Sequence, residues 1–536
     1  MAKQLIAQPL PNFGINGLNT QSNPNSLDPS YLTSADNIVL RESGRISFRK
    51  GLKQKVVPSG ASINSIVEHN DQGTNKIFAS HGTSIYTIDF TAPNAAFPSS
   101  GADVKHTVAN TTGDWQFINF NERLTCIHAE VVPQRYDGSQ SSGSRWAAFD
   151  NATRPPSVTS GEFKPSCGSG AYGRMWVGGV EEEKDVLHYS ALLDSDDYTT
   201  GNGGGSIDLK KVWDKDDIIA VAPFYGQLAV FGKNNIAIYE SPDVIGNIKL
   251  NEVIRGIGCV ARDSVQAIGD DLVFLSNTGL RSLARTSEKD KVPLTDISKN
   301  IKDTLIRNIG ASDLTKVKSV YVENEGIYIL SFTDKNINYV FDFKHFTPNG
   351  EPRITTWTFD NDREPTSMCY TETYGYLTGQ KDGGIAGYEG YFDTDLAWVG
   401  GAASYTNSGI TADVSSIWIP LSQGTIASLL KRMILVLEGG SGATLGLRWY
   451  KDFGVVSSDT TQISLRPATT GTTALYGNAA SLYGTSKYSP IYGLQEYSTP
   501  LAGSAKTLKL NMSIVSNGYN ASIQDLSILH LQGKIR

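Results

Sequence analysis

Ile218-Ile219-Ala220-Val221-Ala222-Pro223, then Gln227-Leu228-Ala229-Val230-Phe231, then Asn235-Ile236-Ala237-Ile238-Tyr239: three short apolar strands follow one another, parted by tight turns. The same pattern recurs on both sides. Upstream it reads at residues 63–68, Lys76-Ile77-Phe78-Ala79 and Ser84-Ile85-Tyr86-Thr87-Ile88, at Trp115-Gln116-Phe117-Ile118-Asn119-Phe120 and Leu124-Thr125-Cys126-Ile127, and at Arg174-Met175-Trp176-Val177 and Val186-Leu187-His188-Tyr189. Downstream it reads at Leu272-Val273-Phe274-Leu275, at Gly326-Ile327-Tyr328-Ile329-Leu330, and at Gly375-Tyr376-Leu377-Thr378. Three or four strands per unit, returning roughly every 40–50 residues, is the period of a β-propeller blade. Seven units can be marked out, and irregular insertions at 91–112, 130–165 and 285–315 make six equally defensible. The alternative is an irregular array of β-sandwiches. The expected fold is all-β: a β-propeller of six or seven irregular blades with an N-terminal extended arm and a C-terminal β-sandwich.

Bulk properties agree with many short strands. The chain has 536 residues, 39% hydrophobic, with 53 glycines and 19% charged residues. That is too long for one ordinary domain and too apolar for disorder. The net charge of −7 divides unevenly: residues 1–60 carry +4, residues 396–536 carry +4, and the middle carries −15. A general nucleic-acid binder would need a basic patch to displace phosphate counterions, so this balance argues against one. Cys126, Cys167, Cys259 and Cys369 stand far apart with no Cys-x-x-Cys pair, as buried reduced thiols would. No apolar run approaches the ~20 residues of a membrane-spanning helix, and no signal peptide is expected at the N-terminus.

The expected domains are residues 1–60, an arm and hairpin; 61–395, the propeller; and 396–536, a jelly-roll-like β-sandwich. The arm opens Asn12-Phe13-Gly14-Ile15-Asn16-Gly17-Leu18-Asn19-Thr20, passes Leu27-Asp28-Pro29, and continues Ala35-Asp36-Asn37-Ile38-Val39-Leu40. Rich in Asn, Gly and Ser, it is expected to lie extended towards a neighbour, with a hairpin over 38–48 supplying the missing strand of the last blade. The C-terminal domain shows longer strands at Lys431-Arg432-Met433-Ile434-Leu435-Val436-Leu437, Leu445-Gly446-Leu447-Arg448-Trp449-Tyr450 and Leu508-Lys509-Leu510-Asn511-Met512. A turn at 439–442 joins the first two as a hairpin. Leu475-Tyr476-Gly477, Leu482-Tyr483-Gly484 and Ile491-Tyr492-Gly493 mark a long loop pinned by tyrosines. One helix is expected, capped by Asp296, with Ile297, Ile301, Leu305 and Ile309 on one face and Gly310 ending it.

The arm, closing on Gly44-Arg45-Ile46-Ser47-Phe48-Arg49-Lys50-Gly51, resembles the opening of the tail nozzle or hub proteins of short-tailed bacteriophages, and 431–440 with 445–454 resembles their C-terminal strands. The resemblance implies a structural virion protein of the tail, made in the host cytoplasm. It implies a six-fold ring of identical subunits below the portal and adaptor rings, gripping distal fibre, needle or spike proteins. DNA would touch it only in transit, and an acidic lining would repel phosphate.

No chemistry stands out beside this. Gly168-Ser169-Gly170-Ala171-Tyr172-Gly173 has the letters of a dinucleotide loop, but a strand follows where a helix must, so a turn is expected. The seven histidines form no local cluster. The acidic runs 194–197, 214–217 and 393–395 lack the spacing of a Ca²⁺ loop and read as solvated turns. No cofactor, metal or catalytic residue is assigned. The candidate partner-binding residues are the basic set Arg41, Arg45, Arg49, Lys50, Lys53 and Lys55, several of which would share a strand face, and the loop tyrosines Tyr476, Tyr483 and Tyr492. A tail propeller that binds or cleaves carbohydrate is the alternative, suggested by eight tryptophans and 24 tyrosines. It requires an axial pocket with paired carboxylates and stacking aromatics.

Overall fold

A computed structural model describes residues 5–40, 45–58, 60–88, 90, 103–109, 111–284, 296–359, 363–390, 397–399, 404–406, 410–421, 426–439, 443–465, 494–515 and 520–532. The chain divides into two compact units. One holds Gln54–Asn338 and Asp360–Tyr388; the other holds Met1–Lys53, Tyr339–Phe359 and Glu389–Arg536.

The first unit is a β-propeller. Its blades are antiparallel meanders: Ile63–Asp71, Thr74–His81, Ser84–Ile88 and Lys105–Thr107; then Gln116–Phe120, Arg123–His128, Val131–Asp137 and Trp146–Ala148. Cys167–Ala171, Arg174–Gly178, Val186–Tyr189 and Gly205–Asp208 form the third, and Ile218–Phe224, Gln227–Gly232, Asn235–Glu240 and Lys249–Arg255 the fourth. The fifth has three strands, Gln266–Ile268, Asp271–Ser276 and Gly279–Ser282. Hairpin Val317–Val322 with Ile327–Phe332 comes next, before a last blade of Pro365–Thr371, Gly375–Gln380 and Ile385–Tyr388. Six blades are thus separate sheets, with the hairpin standing between the fifth and the last. The last blade takes its fourth strand from Leu52–Val56, not from residues 38–48 as expected.

The turns explain the register. Tyr172 and Gly173 both have positive φ (54° and 70°), the geometry that lets a two-residue hairpin follow strand twist, so the dinucleotide-like glycines are a turn. The core lies between blades. Cys167, Trp176 and Leu187 of the third blade meet Val221, Leu228 and Val230 of the fourth. The fourth blade's other face sends Ala229, Phe231 and Ile238 against Phe274. Because both faces are covered, Leu228, Ala229, Val230 and Phe231 are all buried, and the strand reads as a continuous apolar run. Each such Phe contributes about 1.5–3 kcal/mol by leaving water.

The expected helix is present but starts later. Asp296 accepts from Ser298 N and Oγ (3.0 and 2.5 Å), so it caps a turn; the α-helix runs Lys302–Ala311 after a 3₁₀ turn. Ile297, Ile301, Leu305 and Ile309 are buried, as the spacing requires.

Among the described residues the second unit contains two large sheets and a two-stranded one, Ala397–Val399 with Ser404–Thr406. One large sheet has the order Ile38–Leu40, Ile46–Phe48, Ala521–Gln532, Ser428–Gly439, Leu494–Pro500, with Leu5–Pro9 also paired to Ala521–Gln532. The other has Pro352–Trp357, Gly17–Leu18, Tyr31–Asp36, Thr411–Ser416, Thr507–Val515, Thr444–Lys451 and Thr461–Ser464. Ile38, Phe48 and Ile523 of the first and Val414, Met512 and Ile514 of the second line one gap of only about 10 Å³, so the apolar faces meet closely. The hairpin expected across 439–442 does not form. Ser428–Gly439 and Thr444–Lys451 lie in different sheets, and residues 440–442 lie outside the described residues.

Nor is the N-terminal stretch an arm reaching outwards. Leu5–Pro9 pairs with Ala521–Gln532, and Leu10, Phe13, Leu18 and Leu32 are buried. Its glycines serve close approach, not flexibility: a Cβ on Gly17, at φ +76°, would stand 2.5 Å from Ile354 O. Residues 1–53 therefore fall with the C-terminal strands, where the sequence reading kept them apart.

Candidate functional site

The first strands of successive blades touch around the centre of the propeller. Asp114 and Ser166 precede the first strands of the second and third blades; Arg262 and Asp263 precede that of the fifth; Lys318 lies within Val317–Val322. Lys318 Nζ donates to Asp114 Oδ1 (2.5 Å) and Asp263 Oδ2 (2.6 Å). Arg262 grips Asp263 through Nε and Nη2 (2.7 and 2.9 Å), lies 3.6 Å from Asp114 Oδ1, and donates through Nη1 to Ser166 O (3.0 Å). Burial would raise the Asp263 carboxyl, but Arg262 and Lys318 outweigh it and hold it well below the usual carboxylate range. Two cations balance two anions.

This network is a wall shared by two cavities. One, of about 450 Å³, adds Thr112, His128, Glu130, Ile219, Asp313 and Lys316; the other, of about 230 Å³, adds Ser65, Trp115, Gln116, Gln266 and Met368. His128 is not poised as a base. Its Nδ1 accepts from Glu130 N–H (3.2 Å), its Nε2 faces Thr112 Oγ1 (3.2 Å), and burial lowers its pKa. The four charges, with Ser166 O, tie segments of the second, third and fifth blades and of the Val317–Val322 hairpin to one another. Nothing in the local sequence joins residues so far apart. The one available signal was Lys318, a charge in the otherwise buried run Val317-Lys318-Ser319-Val320.

The acidic runs are also occupied. Arg123 reaches Asp137 (3.2 Å), Asp194 (3.5 Å) and Asp196 (3.7 Å), and Arg135 meets Asp196 at 2.5 Å. Burial, then the neighbouring Asp194, pushes Asp196 up to about 6. Asp197 accepts from Thr199 N and Oγ1 (2.9 and 2.7 Å). Asp216, expected in a solvated turn, is buried and accepts from Lys233 N (3.1 Å), Asn234 N (2.9 Å) and Asn235 Nδ2 (2.9 Å), shaping the turn after Gly232. Residues 393–395 lie outside the described residues. Much of the acidity of the middle region is spent on folding. Among the described residues, no three His, Cys, Asp or Glu side chains converge as a metal set, and no helix is long and apolar enough to cross a membrane.

The basic set does not form one face. Arg49 is buried, donating to Asn37 Oδ1 (2.8 Å), Lys50 O (2.9 Å) and Thr358 O (3.2 Å), with its guanidinium 4.6 Å from the Phe359 ring centre. Asn37, at φ 54°, also donates to Thr411 O (2.8 Å). Two residues that carried the resemblance are thus partners inside the second unit. Arg45 pairs with Glu438 (2.7 Å) and Lys53 with Glu389 (3.6 Å). Lys50 and Lys55 are half-buried. Arg41, Tyr476, Tyr483 and Tyr492 lie outside the described residues.

No protein-family model matches the chain, and no curated protein matches it. Solved structures with similar folds include the β-propeller domain of Cps50 (Swd1) from Myceliophteria thermophila, at 10% identity and TM-score 0.38 over 63% of this chain and 98% of that one. The Pan2 WD40 domain of Neurospora crassa is 6% identical, with TM-score 0.38 over 64% and 97%. PorZ of the type-IX secretion system of Porphyromonas gingivalis is 12% identical, with TM-score 0.34 over 71% and 44%. Likeness at this level concerns the propeller fold alone.

Proposed function

We propose that the chain is a structural subunit of a short-tailed phage tail, a nozzle or hub protein acting as a ring of identical copies. The observation that carries this reading is where the resembling segments lie. Residues 38–48 and 428–439, nearly 400 positions apart, enter one sheet on either side of Ala521–Gln532. Ile46 is in register with Ile523, Ile523 with Leu437, and Arg45 pairs with Glu438 beside them. Two segments that each resemble the same family thus build one sheet, as parts of one inherited domain would. The unit they build is read here as the family's β-sandwich.

In this reading the subunit works mechanically. Subunits meet through unlike side faces, which close into a ring when the rotation allows, six-fold in this family. DNA would pass through the hole of the ring. The propeller's own centre is crossed by the ion pairs of Lys318, Asp114, Arg262 and Asp263. The carbohydrate alternative finds less support: the larger central cavity has no aromatic side chain in its wall, and Asp114 and Asp263 are already held by cations.

Native mass spectrometry and negative-stain imaging of the chain, alone and mixed with portal and adaptor rings, test the reading. A ring of about six copies, or a stack on the adaptor, is expected. A chain that stays monomeric under both conditions overturns it.

A further inference from the structure

Two exposed apolar patches stand out among the described residues, and their chemistry is complementary. One is a turn on the second unit, where Phe453, Val455 and Val456 are 54%, 93% and 80% exposed. This tip is stiff. Asp452 and Phe453 both sit at positive φ, the Asp452 carboxylate accepts from the backbone N–H of Lys506 (2.6 Å) and Thr507 (3.1 Å), and the Phe453 ring meets Trp418 edge-on at 5.0 Å. Lys451 and Lys506 flank it, both exposed. Single exposed apolar side chains are ordinary, but adjacent ones on a preordered turn mark an interaction site.

The other patch lies on the propeller, where Leu192, Leu193 and Tyr225 are 60%, 56% and 65% exposed. Three turns come together there. Leu193 N donates to Gly173 O (2.8 Å), and Tyr172 Oη donates to Gln227 O (2.7 Å), next to Tyr225-Gly226. The rim carries three exposed carboxylates, Asp194 (46% exposed), Glu122 and Asp243, against the partly exposed Arg123, which lies 3.5 Å from Asp194.

We propose that the Phe453–Val456 tip of one copy seats on the Leu192–Leu193–Tyr225 patch of a second copy, with Lys451 and Lys506 facing Asp194, Glu122 and Asp243. A second copy is the occupant because each chain carries both halves, apolar with a basic collar and apolar with an acidic rim. Such a contact joins unlike faces and therefore repeats from copy to copy. The proposal rests on the ring reading and names the contact that would build it.

Cysteine cross-linking tests it in the full chain. Cys126, Cys167 and Cys259 are buried and Cys369 half-buried, so singly substituted chains serve as controls. A Leu193→Cys chain mixed with a tagged Val455→Cys chain should give a disulfide-linked heterodimer on oxidation, while neither chain alone gives a cross-linked dimer. Val455→Asp with Val456→Asp, at side chains that leave the fold untouched, should raise the concentration for half-dissociation by about tenfold or more. Assembly without the mixed cross-link overturns this contact and spares the ring reading. A cross-link between two Val455→Cys chains overturns it in favour of a symmetric dimer. Failure to assemble at all overturns both.

Discussion

Replacing Lys318 with Met removes the cation that hydrogen-bonds both Asp114 and Asp263 (2.5 and 2.6 Å). Met keeps much of the side-chain volume, so the loss is chiefly electrostatic. Asp263 retains its two-pronged bond to Arg262, whereas Asp114 keeps only a contact at 3.6 Å. Stripping one partner from a buried pair costs about 3–5 kcal/mol. Because Asp114 and Asp263 keep 17% and 22% of their side-chain exposure, water screens part of that, and about 2–3 kcal/mol is expected. For a unit of roughly 300 residues this lowers Tm by about 3–5 °C. Urea unfolding followed by tryptophan fluorescence measures it, since Trp115 and Trp176 are buried in this unit. Adding Asp114→Asn should return part of the loss, with a coupling of about 1–2 kcal/mol. A Lys318→Met loss below about 0.5 kcal/mol, or strict additivity with Asp114→Asn, would show that the four charges are not one network.

Asp216→Ala should cost about 1–2 kcal/mol in the same assay, because the backbone N–H groups of Lys233 and Asn234 lose a buried acceptor, although water can reach part of the exposed turn. The pH profile has two opposed limbs. Asp263 is held low, so its contribution is complete above about pH 4 and is lost as pH falls through the folded value; Asp263→Asn should flatten that acid limb in a Tm series. Asp196 sits at about 6, so its contribution favours folding at low pH and fades as pH rises from about 4 to 6; Asp194→Asn should weaken that slope. Gly17→Ala should lower the yield of folded protein, since the added Cβ meets Ile354 O at a φ that side chains resist; limited proteolysis of the second unit reads it out. Deleting residues 1–36 should leave the second unit protease-sensitive, because it removes Leu10, Phe13, Leu18 and Leu32 from the core; a protected unit would show that the segment is dispensable.

The blades were legible because each is local. Residues 84–88, 174–178 and 227–231 were marked as strands by apolar runs between turn residues, and the structure places strands at Ser84–Ile88, Arg174–Gly178 and Gln227–Gly232. What escaped was decided across long separations. The stretch at 12–29 looks like solvated linker by composition, and only the presence of Ile354 and Ser30 beside it shows why Gly17 and Asn16 are there. Arg49 reads as a surface charge until Asn37 and Phe359 enclose it. Asp216 reveals itself as a turn acceptor only once the backbone is bent round it, whereas Asp296 was legible as a cap from its place before the apolar spacing. Of the central network, sequence offers a lysine in an apolar strand and nothing that names its partners.

Leu5–Pro9 pairs with Ala521–Gln532, residue 5 against residue 531. A ribosome adding about 5–20 residues per second makes the early strand wait roughly half a minute to nearly two minutes for its partner. Through that interval the blades can form one after another, whereas the unit built from both flanks cannot be completed. Gly17–Leu18 and Tyr31–Asp36 meet partners at Pro352–Trp357 and Thr411–Ser416 earlier, but Leu5–Pro9 waits longest, and contacts of such separation form slowly even afterwards. Until Ala521–Gln532 emerges, Leu5–Pro9, Ile46–Phe48 and Ser428–Gly439 all lack a strand they pair with, so one late segment decides when that sheet can close.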